Sequence, residues 1–253
     1  MPAANLARLV LIEARRGALP WLAAASVVLS LCMAAFLSQV ALTESHALQL
    51  AIVAAMLRAC AVFLVAAHVA NSVLREINDK GLELMLSLPL TRGAHYLGRL
   101  AGFVLCAAAL AVVFALPLLL WAEPAAVALW GLSLALEAAL IAAATLFFAL
   151  SLAQLVPAIA AIAGLYLLAR SMASIQAIAN GPLAEASTAH DVARWGVEGV
   201  ALLLPRLDMV TRTEWLLYGP PEAQRYLAAL AALAIYGTLV TAAGMFDFHR
   251  SNF

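Results

Sequence analysis

The stretch REINDKGLELMLSLPLTRGAHYLGR, residues Arg75–Arg99, is the most charged run of the chain, and a long apolar segment lies on each side of it. The 253 residues are 66% hydrophobic and 11% charged, whereas a soluble domain is about half apolar and about a quarter charged. The chain is therefore predicted to be an integral membrane protein. The charged stretch is predicted to hang between two membrane spans on one side of the bilayer.

Within this stretch, Leu82–Leu88 is predicted to form a short amphipathic helix. It ends before Pro89, because proline has no N–H with which to continue the helical hydrogen bonds. Leu82, Met85 and Leu86 are three and four residues apart and therefore share one apolar face. A helix of this kind at the membrane surface is suited to docking a soluble partner, and a plain turn of the chain is the alternative.

The stretch also resembles the signature of type-2 ABC-transporter permeases, the membrane subunits of the exporter class. The matching positions are Glu76, Gly81, Glu83, Leu86, Ser87, Leu88, Pro89, Thr91, Arg92, Tyr96, Gly98 and Arg99. One step differs, since the family more often has Gly-Thr-Leu-Glu where this chain has Gly81-Leu82-Glu83. A fainter similarity lies at Leu203–Asp208, where Arg206 replaces the Asn that is common in the family.

The resemblance implies a function, partners and a site. The short helix would be the coupling helix, which in this family sits in a groove of a separate cytosolic ATPase that binds ATP and Mg²⁺. Two permease copies, or one copy with a related permease, would pair with two such ATPases. Spans two and five would line the substrate path between the permeases. The predicted ATPase-coupling residues are Glu76, Gly81, Leu82, Glu83, Met85, Leu86, Pro89 and Arg92.

Apolar runs of about 20 residues or more predict an all-α membrane protein with six transmembrane helices in a single permease domain, residues 1–253. The predicted spans are about Leu19–Val40, Ala47–Leu74, Ala94–Trp121 and Ala125–Ser151, a fifth that ends near Arg170, and about Tyr226–Phe246. Residues 1–17 are predicted to form an N-terminal interfacial helix and residues 75–93 a cytosolic coupling loop. Residues 171–225 are predicted to form an extracytoplasmic segment with re-entrant or interfacial helices.

The basic residues predict the orientation of these spans. One side of the bilayer would collect Arg8, Arg15, Arg16, Arg75, Lys80, Arg92, Arg99 and Arg250. The short loops on the other side, around Glu44 and Glu123, contain no Lys or Arg. Because cytoplasmic loops are richer in Lys and Arg, both termini and the central loop are predicted to be cytoplasmic, in a bacterial inner (plasma) membrane.

Two ionisable residues are predicted to lie inside the membrane, Arg58 in the second span and Glu137 in the fourth. Both spans are predicted to enter the membrane from its outer side. At about 1.5 Å per residue, Arg58 lies about 16 Å and Glu137 about 18 Å from the outer end of its span, and the two therefore lie at nearly the same depth. Since an unpaired charge in the bilayer is costly, the two are predicted to form an intramembrane ion pair within one subunit. Its role is either to hold the helices together or to line a substrate path.

No sequence motif points to catalysis, a bound cofactor or a metal site in this chain. The five histidines are scattered, and no phosphate-binding Gly-x-x-x-x-Gly-Lys-[Ser/Thr] motif is present. A net charge of zero gives no indication of a nucleic-acid partner. The alternatives to an exporter subunit are a six-span permease for cofactor maturation (haem- or copper-related), a standalone secondary transporter and an intramembrane enzyme. Neither the transported substrate nor the choice between homodimer and heterodimer follows from the sequence.

Overall fold

The computed structural model describes residues 2–40, 45–79, 91–180, 188–219 and 221–250. Within these ranges the chain is helical and contains no strand. The α-helices are α1 (Pro2–Arg16), α2 (Leu19–Val40), α3 (Ser45–Asn78), α4 (Arg92–Ala115), α5 (Pro124–Leu152), α6 (Leu155–Ala179), α7 (Thr188–Leu203), α8 (Glu214–Tyr218) and α9 (Ala223–Arg250). Two short 3-10 helices are Leu116–Leu120, which continues α4, and Leu207–Met209.

Six of the described helices are long and apolar enough to cross a membrane, namely α2, α3, α4 with its 3-10 extension, α5, α6 and α9. The shortest of these spans has 21 residues, and about 20 helical residues cover the hydrocarbon core of a bilayer. The prediction of an all-helical membrane protein with six such helices is confirmed at this level. The helix α2 has the bounds that were predicted for the first span.

The helix α6 continues past the predicted end of the fifth span near Arg170 and reaches Ala179. The prediction treated Arg170 as the polar end of an apolar run. In the structure the Arg170 side chain turns into the bundle, where a carboxylate and backbone carbonyl groups meet it. Its charge therefore does not end the helix. Residues 171–179, predicted to begin the extracytoplasmic segment, belong to α6.

Contacts between the helices define two ends of the bundle. At the end that we call the terminal end, α1 meets the last turns of α3, and the start of α4 meets the last turn of α9. Ser151 at the close of α5 also donates to Asp247 of α9 there, at 2.6 Å. At the opposite, distal end, Trp121 Nε1 donates to Gln49 Oε1 at 3.1 Å, so the start of α3 meets the close of the 3-10 extension.

The helix α5 is the centre of the bundle. Two thirds of its most apolar stretch is buried, 67%, compared with 11% for α9 and 17% for α2. Trp130, Leu134 and Glu137 on α5 are fully buried. The outer helices α2 and α9 leave most of their apolar surface exposed, which in a membrane-spanning chain is surface for lipid or for another subunit.

The N-terminal helix α1 packs along α4. Its buried face contains Leu6, Ala7, Val10 and Ala14. A Cβ added to Gly102 of α4 would lie 2.7 Å from the Val10 Cβ, so the absence of a side chain at Gly102 allows the close approach of the two helices.

Candidate functional site

A buried ion pair joins the two ends of the stretch Arg75–Arg99. Nη1 of the Arg99 guanidinium contacts Oε2 of Glu76, and the two side chains are only 8% and 13% exposed. Glu76 lies near the end of α3, and Arg99 lies early in α4. Because residues 80–90 connect these two helices, the pair holds together the base of the segment in which the coupling helix is predicted.

The same guanidinium is linked to the N-terminal helix. Arg99 Nη2 donates to the Ser72 hydroxyl at 3.3 Å, and that hydroxyl donates to the Glu13 carboxylate at 2.9 Å. The Arg99 guanidinium also lies over the Phe103 ring, 5.5 Å from its centroid. We call Glu13, Ser72, Glu76 and Arg99 the terminal cluster. It connects α1, α3 and α4 through one arginine.

Arg92 begins α4 and contacts the last turn of α9. Its Nη1 lies 3.4 Å from the carbonyl oxygens of both Phe248 and His249. Carbonyl groups at a helix C-terminus carry partial negative charge and have no intrahelical partner, so a cation is favoured there. The preceding Thr91 caps α4, since its Oγ1 accepts a hydrogen bond from the Ala94 N–H at 3.3 Å.

Glu76 and Arg92 are therefore the predicted coupling residues whose contacts can be described, and both contact their own chain. The remaining predicted coupling residues lie outside the described residues: Gly81, Leu82, Glu83, Met85, Leu86 and Pro89. Their docking to an ATPase stays a prediction.

A second group of polar residues lies in the middle of the bundle. Glu137 of α5 is completely buried, and Nη1 of Arg170 on α6 lies 3.9 Å from its Oε1. The side chains of Tyr166 and Thr211 lie close to this carboxylate. Neither carboxylate oxygen has a partner in good hydrogen-bond geometry among the described residues. We call Arg58, Glu137, Tyr166, Arg170 and Thr211 the mid-bundle cluster.

Arg58, the partner predicted for Glu137, has a different contact. Its Nη1 donates to the carbonyl oxygen of Thr211 at 2.9 Å, and its charge acts on Glu137 at longer range. Among the described residues the arginine at ion-pair distance from Glu137 is Arg170, and the direct or water-bridged pair between Arg58 and Glu137 stays a prediction. Arg58 and Glu137 lie in one cluster, as their similar depth predicts. Arg170 was not predicted to join them, because the fifth span was predicted to end near that residue.

The two arginines hold a segment of chain that enters the bundle between α3, α5 and α6. Arg170 donates to the carbonyl oxygens of Leu207 and Val210, the latter at 2.9 Å, and Arg58 donates to that of Thr211. Thr211 is fully buried and has a φ of +51°, which is unusual for a β-branched residue. Buried carbonyl groups need donors, and here two spans supply them.

The chemistry of the mid-bundle cluster is that of a structural anchor. Arginine keeps its proton in proteins, so Arg58 and Arg170 serve as fixed donors rather than as acids or bases. No group of three or more His, Cys, Asp or Glu side chains placed to bind a metal ion occurs in the described part of the chain.

Comparison of the sequence with protein-family models found no match, and comparison with curated proteins found none. The observations that bear on function are the residues of Arg75–Arg99, the contacts at the two ends of that stretch, and the arginines that hold the segment Leu207–Thr211.

Proposed function

We propose that this protein is the membrane-spanning permease subunit of an ATP-driven ABC exporter in a bacterial inner membrane. Two copies, or one copy with a related permease, pair with two separate ATPase subunits that bind ATP and Mg²⁺. Closure of the ATPases on ATP moves the coupling segment within residues 80–90, and the spans respond by alternating access to a substrate path. Both chain termini are cytoplasmic in this arrangement.

The ion pair between Glu76 and Arg99 is the observation that carries the proposal. A coupling helix can move membrane spans only if its attachment to them is stiff. The buried pair and the terminal cluster around it join α3, α4 and α1 at the base of residues 80–90. Such a pair resists separation, because moving one partner away leaves the other as an uncompensated buried charge.

The length of α3 also supports the proposal. Its 34 residues correspond to about 51 Å at 1.5 Å per residue, whereas the hydrocarbon core is about 30 Å thick. The helix therefore extends beyond the membrane and can act as a lever. Glu76 at the terminal end and Arg58 in the middle lie on this one helix, so movement at the terminal end would reach the mid-bundle cluster.

The mid-bundle cluster joins the two spans that line the substrate path in the resembling family. Arg58 belongs to the second span and Arg170 to the fifth, and both donate to the segment Leu207–Thr211. A shift of one span relative to the other would change the donors available to Thr211. The segment Leu207–Thr211 would therefore respond to a movement of the second span relative to the fifth.

The test is co-purification of the full-length protein from detergent-solubilised membranes with an ABC ATPase encoded beside it, with ATP hydrolysis as the readout. The variant Met85→Asp places a charge on the predicted docking face, and we expect it to lose the ATPase while the membrane domain stays folded. Val192→Asp is the matched control, because Val192 is a 73% exposed apolar residue of α7 that belongs to neither cluster.

Two results would contradict the proposal. If wild-type protein, expressed with the neighbouring ATPase, neither retains it nor stimulates ATP hydrolysis, the chain is not its permease. If Met85→Asp retains the ATPase as well as Val192→Asp does, the coupling helix has been assigned to the wrong residues.

A further inference from the structure

A cavity of about 810 Å³ lies at the distal end, between α8 and the first turns of α9. Three arginines lie at its rim, Arg206, Arg212 and Arg225, and Trp215 and Tyr226 form a wall. The cavity does not contain any residue of the terminal cluster or the mid-bundle cluster. It is a separate feature of the molecule.

The rim of the cavity is cationic. Arg212 and Arg225 each have an acidic neighbour, Glu214 at 3.4 Å and Glu222 at 3.1 Å. Both of these pairs are solvent-exposed, so each is weak and its arginine can also serve an incoming anion. Arg206 has no carboxylate within ion-pair distance among the described residues. The three guanidinium groups therefore outnumber the acids at the rim, and guanidinium binds phosphate through paired hydrogen bonds.

Below this rim the cavity becomes apolar. Its floor follows α9 from Arg225 to Leu233 and includes Ala228, Ala229 and Ala232. These eight residue steps correspond to about 12 Å along the helix axis. Because α9 faces outward along most of its length, the floor is continuous with the surface of the span. A cationic rim above an apolar groove of this depth matches a lipid with an anionic headgroup.

The aromatic wall is held in place by specific contacts. Trp215 is 7% exposed, and its ring meets the Tyr226 ring edge to face, with centroids 5.4 Å apart. The Tyr226 hydroxyl donates to the Leu129 carbonyl oxygen of α5 at 2.7 Å. The wall therefore joins α8, α9 and α5, and the cavity is part of the packed structure. Trp and Tyr are also the residues preferred where headgroups meet hydrocarbon.

We infer that this cavity is a binding site for a membrane phospholipid with an anionic headgroup. The lipid enters sideways from the bilayer, its phosphate lies among the three arginines, and one acyl chain lies along the alanines of α9. The inference does not depend on the proposed function, because it rests on the distal end alone. A soluble phosphate would use the rim but would leave the apolar floor unfilled.

The test measures lipid binding to the delipidated full-length protein in detergent by native mass spectrometry. The probes are phosphatidylglycerol, phosphatidylcholine with the same acyl chains, and glycerol phosphate. We expect phosphatidylglycerol to bind at least about tenfold more tightly than phosphatidylcholine, and glycerol phosphate not to compete at equal concentration. Equal affinity for the two lipids would overturn the inference, and so would effective competition by glycerol phosphate, which would indicate a site for soluble anions.

Two pairs of variants locate the site. Arg206→Gln should weaken phosphatidylglycerol binding severalfold, whereas Arg194→Gln should not, because Arg194 is a half-buried arginine of α7 that lies outside the cavity. Ala232→Trp should block the apolar floor, whereas Ala231→Trp should not. Ala231 and Ala232 are adjacent exposed residues of α9, and Ala231 does not line the cavity. If either pair shows no difference, the lipid binds elsewhere and the inference fails.

Discussion

The guanidinium of Arg99, in the first turns of α4, forms a buried ion pair with the carboxylate of Glu76, in the last turn of α3. The Ser72 hydroxyl connects this arginine to Glu13 of α1. Three helices thus share one buried cation, and that cation lies at the base of the segment in which the coupling helix is predicted. Arg99 is the residue on which the stiffness of this end of the protein depends.

Removing the Glu76 carboxylate should therefore destabilise the protein. We expect Glu76→Ala to lower the free energy of unfolding by about 3 kcal/mol, because the buried Arg99 charge loses its direct partner. The measurement is thermal unfolding in detergent. Asp79→Ala is the control, since Asp79, which directly follows α3, pairs with Arg75 but both side chains are mostly exposed. Its effect should stay below about 0.5 kcal/mol. Equal losses for the two variants would contradict the role of the buried pair.

The contacts in the mid-bundle cluster predict which charges are energetically coupled. In double-mutant cycles with leucine replacements, Glu137 and Arg170 should show an interaction energy of about 1–3 kcal/mol. Glu137 and Arg58 should show a smaller one, because Arg58 directly contacts the Thr211 carbonyl instead. Stability in detergent of the single and double variants gives both values. A larger interaction energy for Glu137 with Arg58 would contradict this expectation and would support the pair predicted from depth.

The packing of α1 on α4 predicts a steric effect at Gly102. Gly102→Leu should destabilise the protein by about 1–3 kcal/mol, since its Cβ would overlap Val10 and force α1 away. The control is Gly164→Ala on α6, where an added Cβ meets nothing within 4 Å. That change should be neutral or stabilising by up to about 1 kcal/mol, because alanine favours the helix. Thermal unfolding in detergent compares the two, and a harmless Gly102→Leu would show that α1 does not pack there.

The orientation of the spans can be tested by labelling. In a background without Cys32, Cys60 and Cys106, cysteines introduced at Ser187 and Glu222 should react with a membrane-impermeant thiol reagent added to intact cells. Cysteines at Lys80 and Ser251 should react only after the cells are opened. The expectation follows from the arginines that gather on the side of both termini. The reverse labelling pattern would invert the proposed orientation.

Much of the helical architecture could be predicted from the sequence. The span Leu19–Val40 has the predicted bounds, and the second span extends only a few residues beyond those predicted. Apolar run length is a reliable guide because a helix that crosses a bilayer must satisfy its own backbone hydrogen bonds and bury few charges. The exception is α6, which was predicted to end near Arg170 but continues to Ala179. An apolar sequence pattern does not reveal whether a charged side chain points into the bundle or out of the membrane.

The side-chain faces were only partly predictable. Leu6, Leu9 and Val10 are three and four residues apart, a spacing that predicts one shared apolar face of α1. Leu6 and Val10 are buried, but Leu9 is 54% exposed. The buried face instead includes Ala7 and Ala14, because Gly102 lets the α1 backbone approach α4 closely. The rotation of a helix about its axis depends on its neighbour, and periodicity within one helix does not contain that information.

The sequence by itself thus determined which segments form helices long and apolar enough to cross a membrane, and that Arg58 and Glu137 lie at a similar depth in the bundle, since hydrophobic transfer and helical rise are local properties. Only the tertiary structure decided that Glu137 meets Arg170, that Arg58 and Arg170 hold Leu207–Thr211, and that Glu76 meets Arg99. Each of these contacts joins residues from different helices. Electrostatic pairing depends on the distances between them across the bundle, which helix packing sets.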